Sequence, residues 1–205
     1  MALFGIRASV DEAYLIRGDG LYLRPGEMRD FQQWAELRER SRAFLTPWEP
    51  VWPADDLTRP AFRRRLRRQA DEIERDETYP FFLFREADHA LMGGLTLGQV
   101  RRGVAQAATL GYWMGHEFAG RGYMSKAVRA ALGYGFGAMR LHRVEAACVP
   151  SNERSKRLLE QCGFHQEGYA RSYLRINGAW QDHLLFAILA SDPIRSAGAP
   201  QVTHS

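Results

Sequence analysis

The chain has 205 residues, 45% of them hydrophobic, which is enough for one well-buried domain and short for two. It carries 28 Lys and Arg against 24 Asp and Glu, a balance that suits an anionic ligand or partner without naming one. No run approaches the ~18 apolar residues of a membrane span, the start lacks the long apolar core of a secretory signal, and two cysteines with six scattered histidines show neither metal nor redox spacing. The expectation is a cytoplasmic protein with reduced thiols at Cys148 and Cys162, no metal and no membrane partner.

Residues 1–20 read as an N-terminal extension, followed by a short strand at Leu21–Arg24. Arg29–Phe44 predicts a helix, with Phe31, Trp34, Ala35 and Leu37 available for burial and the Thr46–Pro47 step as its stop. TPWEPVWPADD is then a proline-broken loop carrying Trp48 and Trp52. In the arginine-dense run Ala61–Glu77, Phe62, Leu66, Ala70 and Ile73 fall at helical spacing and leave the arginines on the other faces. That pattern predicts a solvated helix face, with contact to RNA as the alternative.

PFFLFRE and ALMGGLTLGQ flank the turn Ala87–Asp88–His89 and predict a hairpin, and QAATLGYWMG predicts the next strand. After it, Met124, Ala127, Val128, Ala131 and Leu132 form the apolar stripe of a helix. Gly133, Gly135 and Gly137 cost ~1 kcal/mol each relative to alanine, so this helix is expected to fray or finish there. RVEAACV reads as a second buried-type strand, and PSNERSKRLLEQCGF as a helix with Ser151 or Asn152 as N-cap and Gly163 just past its end. GYARSYLRI, a turn at Asn177–Gly178 and AWQDHLLFAIL predict a terminal hairpin. Residues 191–205 read as a tail. The whole is a mixed α+β single domain over residues 21–190.

The loop EFAGRG, Glu117–Gly122, stands between a strand and the start of a helix. With 19 glycines in 205 residues, chance alone gives roughly two pairs separated by one residue, so the spacing identifies nothing by itself. The context does more, because unpaired N–H groups and the positive end of a helix dipole converge there on an anion. It is no P-loop, since the Lys and hydroxyl pair is missing, and the third glycine of a dinucleotide fingerprint is absent.

Read together, YWMG, RGYM, LHRVEA, PSNERS and CGFHQEGYARSYLRINGAWQDH resemble the GNAT acyl-CoA N-acyltransferase superfamily. With FLTPWEP and RRGVAQA added, the chain from Leu21 to Leu189 is most similar to the Rim-type enzymes that acetylate the N-termini of ribosomal proteins, above all the alanine-specific RimJ type. The resemblance implies the GNAT fold, a mixed central sheet flanked by helices, with acetyl-CoA as cosubstrate. It implies that pantetheine pairs with the strand at Trp113 and Met114, and that the pyrophosphate rests on the loop Gly120, Arg121, Gly122, Tyr123, Met124 and Ser125. Glu117 replaces the glutamine or arginine usual in that loop.

Asn152 and Ser155 match the family's N-x-x-S, which implies an amide contact to pantetheine and a proton donor for the departing thiolate. Simple helix capping is the alternative. Glu145 is the candidate base, or else pairs with an arginine such as Arg143. Asp182 is a candidate for meeting a cationic peptide N-terminus, or for structural hydrogen bonding, and Trp48 and Trp52 are candidate walls of the acceptor slot. His142 and Cys148 do not make a nucleophile pair, because apolar neighbours raise a thiol pKa and the family transfers directly. The expected reaction is acetylation of the N-terminal amine of a protein, a ribosomal one beginning with Ala or Ser. The alternatives are a small-molecule amine as acceptor, or a non-catalytic ribosome- or RNA-binding protein on the same fold.

Overall fold

The computed structural model describes residues 14–194. Eight strands form one sheet: β1 (Ile16–Gly18), β2 (Leu21–Arg24), β3 (Tyr79–Arg85), β4 (Leu91–Arg101), β5 (Ala107–Met114), β6 (Arg143–Cys148), β7 (His165–Ile176) and β8 (Ala179–Leu189). Their spatial order is β1-β2-β3-β4-β5-β6-β8-β7, and every neighbouring pair is antiparallel except β5–β6. The helices are α1 (Phe31–Arg40), the single turn α2 (Arg42–Leu45), α3 (Arg59–Glu74), α4 (Tyr123–Gly137) and α5 (Glu153–Cys162).

Strand alternation explains how the sheet holds helices on both faces. In β3 five consecutive residues are buried, and they divide by parity. Phe81 and Leu83 join the large core under α4 and α5, with Leu21, Leu95, Leu110, Val128, Leu132 and Leu159. Phe82 and Phe84 point the other way, into a second core with Trp34 and Leu37 of α1 and Phe62 of α3. This matches the expected mixed sheet flanked by helices.

One boundary differs from the sequence reading. β1 lies inside the stretch read as an extension, since Ile16 pairs with Leu23 and is buried, so the folded unit begins ahead of Leu21. Three residues carry too little periodicity to be seen, and only the pairing with β2 defines them. α4 finishes at Gly137, within the stretch expected, and Gly133 and Gly135 do not interrupt it, because Ala131, Leu132 and Gly135 are buried against the sheet and packing outweighs propensity. Residues 195–205 of the expected tail, and 1–13 of the extension, lie outside the described residues.

Candidate active site

The parallel pair β5–β6 opens part-way along its length. Pairing runs from Ala107 with Arg143 to Leu110 with Ala146 and stops. β5 remains with β4 as far as Met114, and β6 remains with β8 as far as Cys148. The result is a slot in the middle of a sheet, edged by strand backbone that has lost its neighbour, where an extended amide-bearing ligand can add as a strand. The Gly115 N–H donates to the Met92 carbonyl at 2.8 Å. Successive N–H groups of a strand point to opposite sides, so the Met114 N–H faces β6, across the slot. Behind β5, on the edge away from the slot, β4 needs glycine. A Cβ on Gly93 would stand 2.4 Å from the Trp113 carbonyl oxygen, and one on Gly94 2.5 Å from its indole Nε1.

The chain from β5 reaches α4 through the glycine loop. Gly120 (φ +75°) and Gly122 (φ +79°) both hold the left-handed conformation that side chains disfavour, and Gly122 is the N-cap of α4. No side chain caps that helix, so its first N–H groups are left for an external acceptor. Arg121 is exposed, Tyr123 and Ser125 are half-buried, and Met124 is buried, so Met124 offers the slot only its backbone. Glu117 is drawn away to Arg40 of α1, 3.0 Å distant, which keeps its charge off the anion site. These features fit the pyrophosphate and pantetheine of acetyl-CoA.

On the far side, α5 begins beside the slot. The Asn152 side chain caps it, accepting from the Ser155 N–H at 3.1 Å, which is the capping alternative. Ser155 has a partner that sequence reading missed. Its Oγ lies 2.7 Å from the hydroxyl of Tyr112, which β5 projects to the same side as Leu110 and Met114. The strand period places Tyr112 on that side but does not reveal its partner. Burial pushes the Tyr112 phenol far above its ordinary pKa, with the Ser155 bond opposing, so the pair stays protonated through the working range.

Other candidates fall elsewhere. Glu145 pairs with Thr109, in the closed half of β5–β6, and accepts from Arg101 (2.5 Å) and Arg143 (2.9 Å). Burial pushes its carboxyl up, but those two guanidinium groups overcome it and hold the pKa below the ordinary value. A carboxylate so committed is a poor proton acceptor, and the geometry supports the pairing alternative. Asp182 is likewise taken up inside its hairpin. It accepts from the Tyr169 hydroxyl and, at 2.7 Å, from the Ser172 N–H, and so braces a bulge in β7. Both thiols are free and buried, burial raises both, and Cys162 reaches about 11. His142 is exposed.

The second helix-bearing face holds a cavity of about 380 Å³ between α1, α3 and strands β3–β5, with Trp113 of β5 in its wall. Its charged lining is Arg38, Arg65, Arg68 and Glu49. Arg38 makes two bonds to Glu49 at 2.8 and 2.7 Å and lies over the rings of Trp52 (4.0 Å) and Trp113 (4.8 Å). Trp52 also donates to Glu49. The Glu49 carbonyl accepts from the Asn177 N–H at the tip of the β7–β8 hairpin, 2.8 Å away. The proline-broken loop is therefore pinned from both sides. Trp52 sits within this cluster, and Trp48 is half-buried on the same loop.

A family model described as "Acetyltransferase (GNAT) domain" matches residues 20–165. The chain belongs to the GNAT acetyltransferases. It is 37% identical over 178 residues to the "Probable N-acetyltransferase YjcK" of Bacillus subtilis, covering 87% of this chain and 98% of that one. It is 34% identical over 190 residues to the [Ribosomal protein uS5]-alanine N-acetyltransferase of Escherichia coli, covering 93% and 97%. Among solved structures it is similar to Mycobacterium smegmatis RimJ in complex with CoA-disulfide, with a TM-score of 0.80, 33% identity and 86% of each chain covered. This GNAT protein is an acetyl-CoA-dependent N-acetyltransferase. Among the described residues no cluster could hold a metal ion, and no helix is long and apolar enough to cross a membrane.

Proposed function

We propose that this enzyme works in the cytoplasm and acetylates the N-terminal α-amine of a protein, a ribosomal one beginning with Ala or Ser. The thioester supplies an activated acetyl group. The amine attacks its carbonyl carbon, a C–N bond forms as the C–S bond breaks, and the thiolate takes a proton from Ser155, which Tyr112 orients. The Met114 N–H holds the carbonyl oxygen as it gains charge. The surplus amine proton passes to water, and water returns a proton to Ser155, which restores its hydroxyl. Gly120–Ser125 hold the pyrophosphate, and Asn152, beyond capping α5, meets the pantetheine at the slot. Trp48 and Trp52 wall the path by which the acceptor enters.

The observation that carries the choice of acceptor is the make-up of the cavity wall, whose single lining carboxylate, Glu49, is already taken by Arg38. Such a wall offers no free carboxylate to a polyammonium substrate, whereas a peptide brings its single amine to the slot with the rest of the chain free to suit the wall. The chemistry agrees. An α-amine has an unperturbed pKa of about 7.7–8.0 against about 10.4 for lysine, so a fraction is already nucleophilic at neutral pH and needs no dedicated base. Similarity over nearly its whole length to the Escherichia coli alanine acetyltransferase supports the same reading.

The test is incubation with acetyl-CoA and a peptide panel, read by mass. Peptides beginning with Ala or Ser should gain one acetyl group, those beginning with Leu or Phe little, and N-terminally blocked peptides none. Comparable modification of internal lysines on a blocked peptide would refute the assignment.

A further inference from the structure

The arginine-dense helix α3 was expected to present a solvated face, yet it turns one edge to the cavity. Arg65, Arg68 and Gln69 stand at the i, i+3 and i+4 positions that share a helix face, and all three line the cavity wall. Their commitments differ. Arg65 is bound to Asp56 at 2.5 Å and lies over the Trp34 ring at 4.7 Å. Arg38 is consumed by Glu49 and roofed by two indoles. Arg68 has only a 3.5 Å contact to Glu72, with its side chain 66% exposed, so it is free to turn to a ligand. Burial pulls the Arg65 guanidinium down, Asp56 opposes this, and Arg38 and Arg68 are close enough to depress it further. Arg38 and Arg65 are each held by a close carboxylate, so Arg68 is the guanidinium of this wall with the loosest partner.

Trp113 belongs both to the strand that edges the slot and to the cavity. The residues that follow an amine at the slot, spaced ~3.3–3.6 Å each, can run past Trp113 toward this wall. We propose that the cavity receives an acidic side chain at the second or third position of the acceptor peptide, bound by Arg68 and Gln69 with Arg65 behind them. This rests on the N-terminal acetylation reading and narrows its substrate class. The carboxylate gains charge-assisted hydrogen bonds from a fork of donors, whereas its amide isostere gains only neutral ones.

The experiment compares matched peptides beginning with Ala that carry Glu or Gln at position two, and a second pair varied at position three. kcat/KM is measured for the wild-type enzyme and for Arg68→Gln and Gln69→Ala. At one position at least, the wild type should prefer Glu roughly tenfold, the effect of a single charge-assisted bond, and Arg68→Gln should bring that ratio close to one. Equal rates on Glu and Gln peptides at both positions overturn the proposal while leaving N-terminal acetylation standing. A preference that persists undiminished in both variants overturns the cavity as its source. If no free N-terminus is acetylated, the reading beneath falls and the proposal with it.

Discussion

Tyr112 and Ser155 come from different elements and meet only where β5 leaves β6, which gives the Ser155 hydroxyl a fixed partner at the mouth of α5. A positioned acid contributes typically 10²–10⁴-fold. Ser155→Ala should therefore lower kcat about a hundredfold with acetyl-CoA affinity changed less than threefold, and Tyr112→Phe should lower kcat by a smaller factor with KM for acetyl-CoA preserved. Steady-state kinetics with calorimetric titration separates the two readouts, and wild-type turnover in both variants would return the pair to a structural role. Glu145 is expected to behave in the opposite way. Its folded pKa is depressed, so its stabilising contribution is present above the unfolded value and is lost as pH falls through the folded one. Glu145→Gln should cost ~0.5–1 kcal/mol at pH 7, and the gap to wild type in urea melts should close below about pH 4. Turnover at neutral pH should hold within threefold, and a hundredfold loss would make Glu145 the base after all.

The α4 entrance is a device of a whole element, since two left-handed glycines aim an uncapped helix end at the slot. Nothing stands within 4 Å of a Cβ added at Gly122, so a side chain there meets backbone strain and not a clash. A left-handed residue with a Cβ costs roughly 1–2 kcal/mol, and relief of that strain would turn the N–H groups away. Gly122→Val should weaken acetyl-CoA binding tenfold or more by calorimetry while the circular dichroism spectrum keeps its helical content. Gly133 supplies the control on the same helix. It is exposed, helical and also open at Cβ, so Gly133→Ala should raise stability by about 0.5–1 kcal/mol and leave acetyl-CoA affinity untouched. Equal losses of affinity in the two variants would mean that α4 as a whole, and not its entrance, had been disturbed.

Across the whole molecule, the sheet separates two chemistries. The glycine loop and α5 lie on the face proposed for the acetyl donor, and the face bearing α1 and α3 forms an arginine-lined cavity against the same strand, β5. Spermidine should for that reason be a poor acceptor, with kcat/KM below one hundredth of that for an Ala-initiated peptide in a coupled assay of released thiol. Partly exposed charges are screened within about 8–10 Å at 0.1–0.15 M salt. Raising salt from 50 to 500 mM should then increase KM for an acidic peptide severalfold while leaving KM for its amide analogue nearly constant. A spermidine rate matching the peptide rate would show that the cavity charge does not govern selection.

The sequence by itself determined what repeats along the chain or caps its ends. The apolar run PFFLF marked a strand, the stripe from Met124 to Leu132 built α4, and Asn152 and Gly163 bounded α5. The geometry of the glycine loop was legible because left-handed backbone is written locally as glycine. Side-chain partnerships across the fold were not. Tyr112 with Ser155 spans 43 positions, Arg101 with Glu145 spans 44, and β1 is defined only by its partner strand. No period encodes such a distance. Whether Glu145 is a base or one half of an ion pair, and whether the arginines of α3 face water or a cavity, depends on what the completed sheet brings opposite them. Tertiary structure decided those points because a charge takes its role from its neighbours, and the neighbours arrive only with folding.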